Sequence, residues 1–167
     1  MRRVYIKHIK QKATLNSWKS EPFGNLVEIP FERIFSDEEY QKLEYGLIPQ
    51  VMEDKWFIYF EDGKLMFFRS WTGNGVFKVQ LSKKEDSWSV ESAFASSQTL
   101  DSWGTEYGVA ILDFLVSNFL LDENKPFPRR NDIKEELPGV LQHSVAGSGY
   151  SEVEFTVKKP WWKFWDK

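Results

Sequence analysis

The chain contains no cysteine. That excludes disulfides, thiol nucleophiles and cysteine-held zinc or iron–sulfur centres. Histidine is scarce as well: His8 and His143 stand alone, with no H-x-E or HExxH spacing around either. No metal site and no cofactor is therefore expected. Long apolar runs are also missing. The longest, YGVAILDFLVSNFLL at 107–121, carries Asp113 and Asn118 and falls short of the roughly 20 residues a membrane-spanning helix needs. MRRVYIKHIK has no apolar core behind its basic start, so no secretory signal is read and a cytoplasmic protein is expected. Neither a P-loop nor a dinucleotide fingerprint occurs, and GSG at 147–149 is a turn rather than a G-x-S-x-G elbow.

Aromatic residues are abundant. They make up 17% of the 167 residues, with eight tryptophans and fourteen phenylalanines, so large rings carry much of the packing. The length suits one domain, taken here as 1–157, with a separate tail at 158–167. The net charge of −3 is segregated: residues 1–20 hold six Lys/Arg and no acid, and residues 21–62 hold three bases against eleven acids. An acidic body disfavours a phosphate-tracking groove, and KLMFFRSW does not fit the RNP1 pattern, so nucleic acid is not the expected partner. The tail KKPWWKFWDK interleaves four lysines with Trp161, Trp162, Phe164 and Trp165. It reads either as a membrane-surface contact or as a segment that packs on protein.

The pattern along the chain predicts an α+β fold. RRVYIKHIK alternates like a strand, and LVEIPFERIF is an edge or split strand because of Pro30. Ser36 with Glu39 makes a capping box for a short N-terminal helix ending near Gly46. Strand-like runs at 55–60, 64–71, 76–82 and 87–95 are separated by Asp62-Gly63, TGNG and KKED. Those are hairpin signals, so the expected core is an antiparallel meander within a sheet of four to six strands. One long helix of about twenty residues, from Asp101-Ser102 to Leu121, should pack on one face. ENKPFPRRND reads as a loop, 131–141 as a short helix interrupted by Pro138, and YSEVEFTV as a final strand.

A two-residue turn at Asp62-Gly63 places Trp56 opposite Arg69 and Phe57 opposite Phe68. Carried through TGNG and KKED, the same parity collects Phe57, Tyr59, Met66, Phe68, Phe77, Val79, Leu81, Trp88, Val90 and Phe94 on one face, to be covered by the long helix. The other face then carries Trp56, Arg69, Trp71, Lys78, Gln80 and Glu91, with Lys78 opposite Glu91. Arg69 should sit between two tryptophans, either as a structural cation–π pair or as the anchor of a ligand site. A guanidinium fork suits carboxylate or phosphate, and flanking indoles suit a planar ring. The candidate ligand-binding residues are Trp56, Arg69, Trp71, Thr72, Lys78, Gln80 and Glu91; no catalytic residue is assigned.

The run DKWFIYFEDGKLMFFRSWTG at 54–73 resembles a motif of small bacterial proteins that have no known activity. The matching positions are Trp56, Arg69, Ser70, Trp71, Thr72 and Gly73. The resemblance implies a family label and no reaction. Two functions remain open: a non-enzymatic binding module that holds a small anionic or planar ligand or a protein partner, and a small enzyme acting on a nucleotide-like or phosphorylated substrate. In the second, Arg69 would clamp the anion and Glu91 or another carboxylate would serve as base. The absent nucleophile–base–metal set favours the first.

Overall fold

The fold grows from one hairpin. In the computed structural model, which describes residues 10–132 and 139–157, Asp62 and Gly63 both take positive φ, 51° and 75°, as a two-residue I′ turn requires. The turn sets β3 (Trp56–Glu61) against β4 (Lys64–Arg69), with Trp56 opposite Arg69 and Ile58 opposite Phe67. β5 (Gly75–Lys84) and β6 (Ser87–Ser96) continue the antiparallel meander. The short β1 (Leu26–Glu28) and β2 (Ile34–Phe35) both pair with β6, on either side of Pro30. The result is a six-stranded antiparallel sheet in an α+β fold.

Among the described residues there are four α-helices. α1 (Asp37–Tyr45) starts at a reciprocal cap: Glu39 N–H donates to Ser36 Oγ, and Ser36 N–H donates to the Glu39 carboxylate, both at 3.1 Å. It stops at Gly46, where φ is +63° and a Cβ would strike the Ile58 carbonyl oxygen. That close approach lets Leu47 exchange backbone hydrogen bonds of 2.8 and 3.0 Å with Ile58.

The expected single long helix is instead broken. α2 (Ser97–Trp103) begins one turn earlier, capped by Ser96 Oγ, which accepts from Thr99 N–H at 3.2 Å. Gly104, with φ 75° and ψ 161°, interrupts the helix in a conformation open mainly to glycine. α3 (Thr105–Leu115) then continues through a π-helical turn, Val116–Leu120. A second departure is β7 (Phe127–Arg130), formed where a loop was expected. It pairs in parallel with β8 (Glu152–Phe155) in a separate two-stranded sheet. The prolines at 126 and 128 read as loop residues, yet buried Phe127 anchors the strand against Phe114, with ring centroids 5.3 Å apart.

The largest correction concerns the sheet faces. Phe68 lies opposite Gly75 but Phe67 opposite Phe77, so Val76 is an extra residue on β5. One bulged residue reverses the facing of everything beyond it. Phe77, Val79 and Leu81 therefore join Trp56, Ile58, Leu65 and Phe67, and this is the face buried with α3 residues Tyr107, Ile111, Leu112 and Phe114. Phe57, Tyr59, Met66 and Phe68 form a smaller cluster with Ala13. β5 and β6 join through a two-residue turn at Glu85-Asp86, and a second bulge leaves Glu91 unpaired between the Gln80–Ser92 and Leu81–Val90 pairs; together these bring Lys78 opposite Phe94 rather than Glu91. Phe94 accordingly leaves the face that holds Val90 and Trp88.

The expected N-terminal strand (2–10), apart from Lys10, and the centre of the helix expected at 131–141 lie outside the described residues, as does the aromatic tail. Among the described residues, no helix is long and apolar enough to cross a membrane.

Phe114 is 2% exposed and touches the rings of Phe119, Phe127 and Tyr150. Replacing it with alanine should cost about 3–5 kcal/mol in a urea titration. A loss below about 1 kcal/mol would place Phe114 outside the core.

Candidate functional site

Arg69 ends β4 on the core side of the sheet, where the aromatic packing gives way to polar groups. Its cross-strand neighbour Trp56 is fully buried, and the guanidinium carbon lies 4.8 Å from the indole centroid. Nη1 donates to the Val145 carbonyl at 3.0 Å and Nη2 to the Ser144 carbonyl at 2.6 Å. Trp56 Nε1 also donates to Val145, at 2.7 Å. These carbonyls belong to the last turn of α4 (Val140–Val145). A helix end leaves such groups without intrahelical partners and carries partial negative charge. Arg69 and Trp56 thus cap α4 from the sheet.

The electrostatics single out this arginine. Arg33 bonds Asp113 at 2.9 Å and Glu123 at 3.1 Å. Arg129 pairs with Glu152 at 3.3 Å and Arg130 with Asp132 at 2.6 Å. Of the four arginines among the described residues, only Arg69 has no carboxylate partner among those residues. Burial pushes its pKa down, with no opposing cause, although a guanidinium stays protonated in proteins. The hydrogen bond from Arg130 raises that group's pKa and lowers that of Asp132, the mark of a compensated pair. Arg69 uses two of its five N–H donors on α4.

A cleft of about 430 Å³ opens beside Arg69. It lies between the chain at Pro22–Asn25, the start of β5 at Gly75 and Val76, and α2. Asn25, Ser96, Ser97, Gln98, Thr99 and Ser102 supply neutral polar groups, and Trp103 forms an aromatic wall. Among the described residues lining it, Arg69 is the one charged side chain.

Of the seven candidate residues read from the sequence, the structure brings Trp56 alone against Arg69; Lys78 and Gln80 share a groove on the other face of the sheet. Trp71 does not flank the guanidinium. It is 58% exposed, its Nε1 donates to Met52 O at 2.8 Å, and Lys55 Nζ lies 4.5 Å from its ring centroid. The loop Ser70–Gly73 turns it away, into a separate groove with Trp18 and Met52. Thr72 Oγ1 accepts from Asn74 N–H at 3.2 Å and holds that loop. Lys78 and Gln80 point to the opposite sheet face because of the Val76 bulge, and Gln80 Nε2 donates to Gly63 O at 3.2 Å. Glu91 is exposed at its own bulge.

The partners of Arg69 were not readable from the sequence, since backbone carbonyls carry no residue signature. The cleft wall did leave a signal: Ser96, Ser97, Gln98 and Thr99 are consecutive hydroxyl and amide side chains where a strand passes into a helix.

No family model, no curated protein and no solved structure matches the chain. The geometry yields a direct test of the cap. Arg69→Met keeps an unbranched apolar stem but removes every N–H donor, including the two bonded to α4, so stability should fall by about 1–3 kcal/mol. Hydrogen exchange of α4 amides should accelerate more than that of β4 amides. Unchanged α4 protection would show that Arg69 does not hold the helix.

Proposed function

We propose that this protein is a non-enzymatic binding module that holds an anionic group of a ligand against Arg69, in the cleft between β5 and α2. The observation that carries this reading is a partly buried guanidinium whose hydrogen-bond partners among the described residues are all neutral. Buried cations are ordinarily paired, because desolvating an unpaired charge is costly. Here the carbonyls of α4 and the face of Trp56 offset part of that cost. An anion entering the cleft would complete it through the remaining N–H donors, which cannot all be satisfied by two carbonyls. The neutral lining adds hydrogen-bonding capacity without a competing negative charge.

An enzymatic use of the same clamp would need a base. Glu91, the carboxylate first considered, lies five residues along β6 from Ser96 at the cleft, and no carboxylate is among the described lining residues. Binding without chemistry is the better-supported use. A cytoplasmic setting belongs to the same proposal, since a cysteine-free chain needs no oxidising compartment. A bacterial source follows only from the Arg-Ser-Trp-Thr-Gly resemblance.

Acetate and inorganic phosphate, titrated against the thermal melt, test this directly. An anion at about ten times its Kd adds about 1.4 kcal/mol, or roughly 3–6 °C in Tm for a chain of this length. Arg69→Lys should lose most of that gain, because an ammonium lacks the fork. Gly24→Phe provides a second variant that leaves Arg69 intact. A Cβ at Gly24 meets no atom within 4 Å, so the new ring can occupy the cleft and abolish the gain while the unliganded Tm stays unchanged. A wild-type Tm insensitive to both anions would refute the proposal.

A further inference from the structure

The cleft contains more information than a single charge, and it bears on the kind of molecule that carries the anion. Resting on the binding reading above, we propose that the ligand is a polyhydroxylated monocarboxylate, a sugar acid. Its carboxylate would meet Arg69 and its hydroxyls would meet the amide and hydroxyl wall.

Three features of the lining lead there. The first is charge. One guanidinium, with no lysine, histidine or second arginine among the described lining residues, matches a single carboxylate better than a doubly charged phosphate monoester. The second is the neutral polar set. The side-chain amides of Asn25 and Gln98 make no hydrogen bond to the described residues. Each amide offers two donors and an acceptor, the combination a row of hydroxyls can answer. Ser96 Oγ accepts from Thr99 N–H and its own hydroxyl donates to Thr99 Oγ1 at 2.7 Å. The Thr99 hydroxyl hydrogen is thereby left to donate onward. The third is the single aromatic wall. Trp103 is already held by Tyr107, edge-on at 6.1 Å, and by Phe77 at 6.2 Å. It is a fixed ring against which the C–H face of a sugar can lie. Trp71, the ring that would have sandwiched a planar base across Arg69, is in another groove. The cleft volume of about 430 Å³ falls within the roughly 300–1,000 Å³ usual for small-ligand sites.

Calorimetric titration of the full chain with D-glucuronate, D-glucose, acetate and adenosine monophosphate separates the possibilities. Glucuronate should bind at least about tenfold more tightly than acetate, with glucose weaker than both, because the carboxylate and the hydroxyls are read together. The double variant Asn25→Ala and Gln98→Ala, checked for an unchanged melt, should remove the glucuronate advantage and leave acetate affinity within about twofold of wild type. If acetate binds and glucuronate binds no better, the sugar-acid inference fails and the anion site stands. Tighter binding of adenosine monophosphate than of glucuronate would overturn the inference in favour of a planar, doubly charged ligand. Silence from all four compounds would remove both the inference and the binding proposal beneath it.

Discussion

A guanidinium stacked on a buried indole and bonded to two helix carbonyls joins the halves of this protein. The meander ends its core face at Trp56 and Arg69, and both donate to the final turn of α4. From there the chain returns as β8 to pair with β7, whose Phe127 packs on α3. A continuous line of ring contacts links Trp56 to Phe77, Trp103, Tyr107 and Phe155. Five of the chain's aromatic rings form this line. It links the six-stranded sheet to α2, α3 and the separate two-strand unit without disulfides.

How much of this was readable depends on the range of the interaction concerned. Local signals carried their elements. Asp62-Gly63 specified both the turn and the Trp56–Arg69 pairing, Ser36 and Glu39 formed the reciprocal cap, and Pro30 separated β1 from β2. Parity over a distance was not readable. The bulge at Val76 has no side-chain signature, and one uncounted residue transferred Phe77, Val79 and Leu81 to the other face. The helices therefore cover the Arg69 face rather than its opposite, and the candidate site shrank to Trp56 and Arg69. Gly104 was visible as a glycine, but it stands just after the Asp101-Ser102 start signal and before the apolar run from Tyr107, which together read as one helix. Arg69 was conspicuous in the sequence, whereas the carbonyls that hold it were invisible there.

The contrast between Arg33 and Arg69 explains why the second suggests a ligand. Arg33 crosses from β2's approach to the α3 segment, and its charge is met by Asp113 and Glu123, with Ser117 of the π-helical turn accepting a further bond at 2.6 Å. That arrangement is closed, and removing one member would strand the others. Arg69 is closed on the α4 side and open toward the cleft. An arginine needed only to cap a helix would gain by a nearby carboxylate, as the other three have. On the proposed reading, leaving that position neutral would keep donors available to an anionic ligand.

The central claim is that Arg69 does two things at once: it is fixed by α4, and it keeps N–H donors directed to the cleft. Its guanidinium proton resonances, followed by NMR as acetate is added, report both. In the free protein some should exchange slowly, reflecting the Ser144 and Val145 bonds. On titration the others should shift in a saturable way, while Arg33 and Arg130 stay unmoved. Arg69 resonances that exchange as fast as those of a solvated arginine, or that move no more than those of Arg33, would contradict the claim.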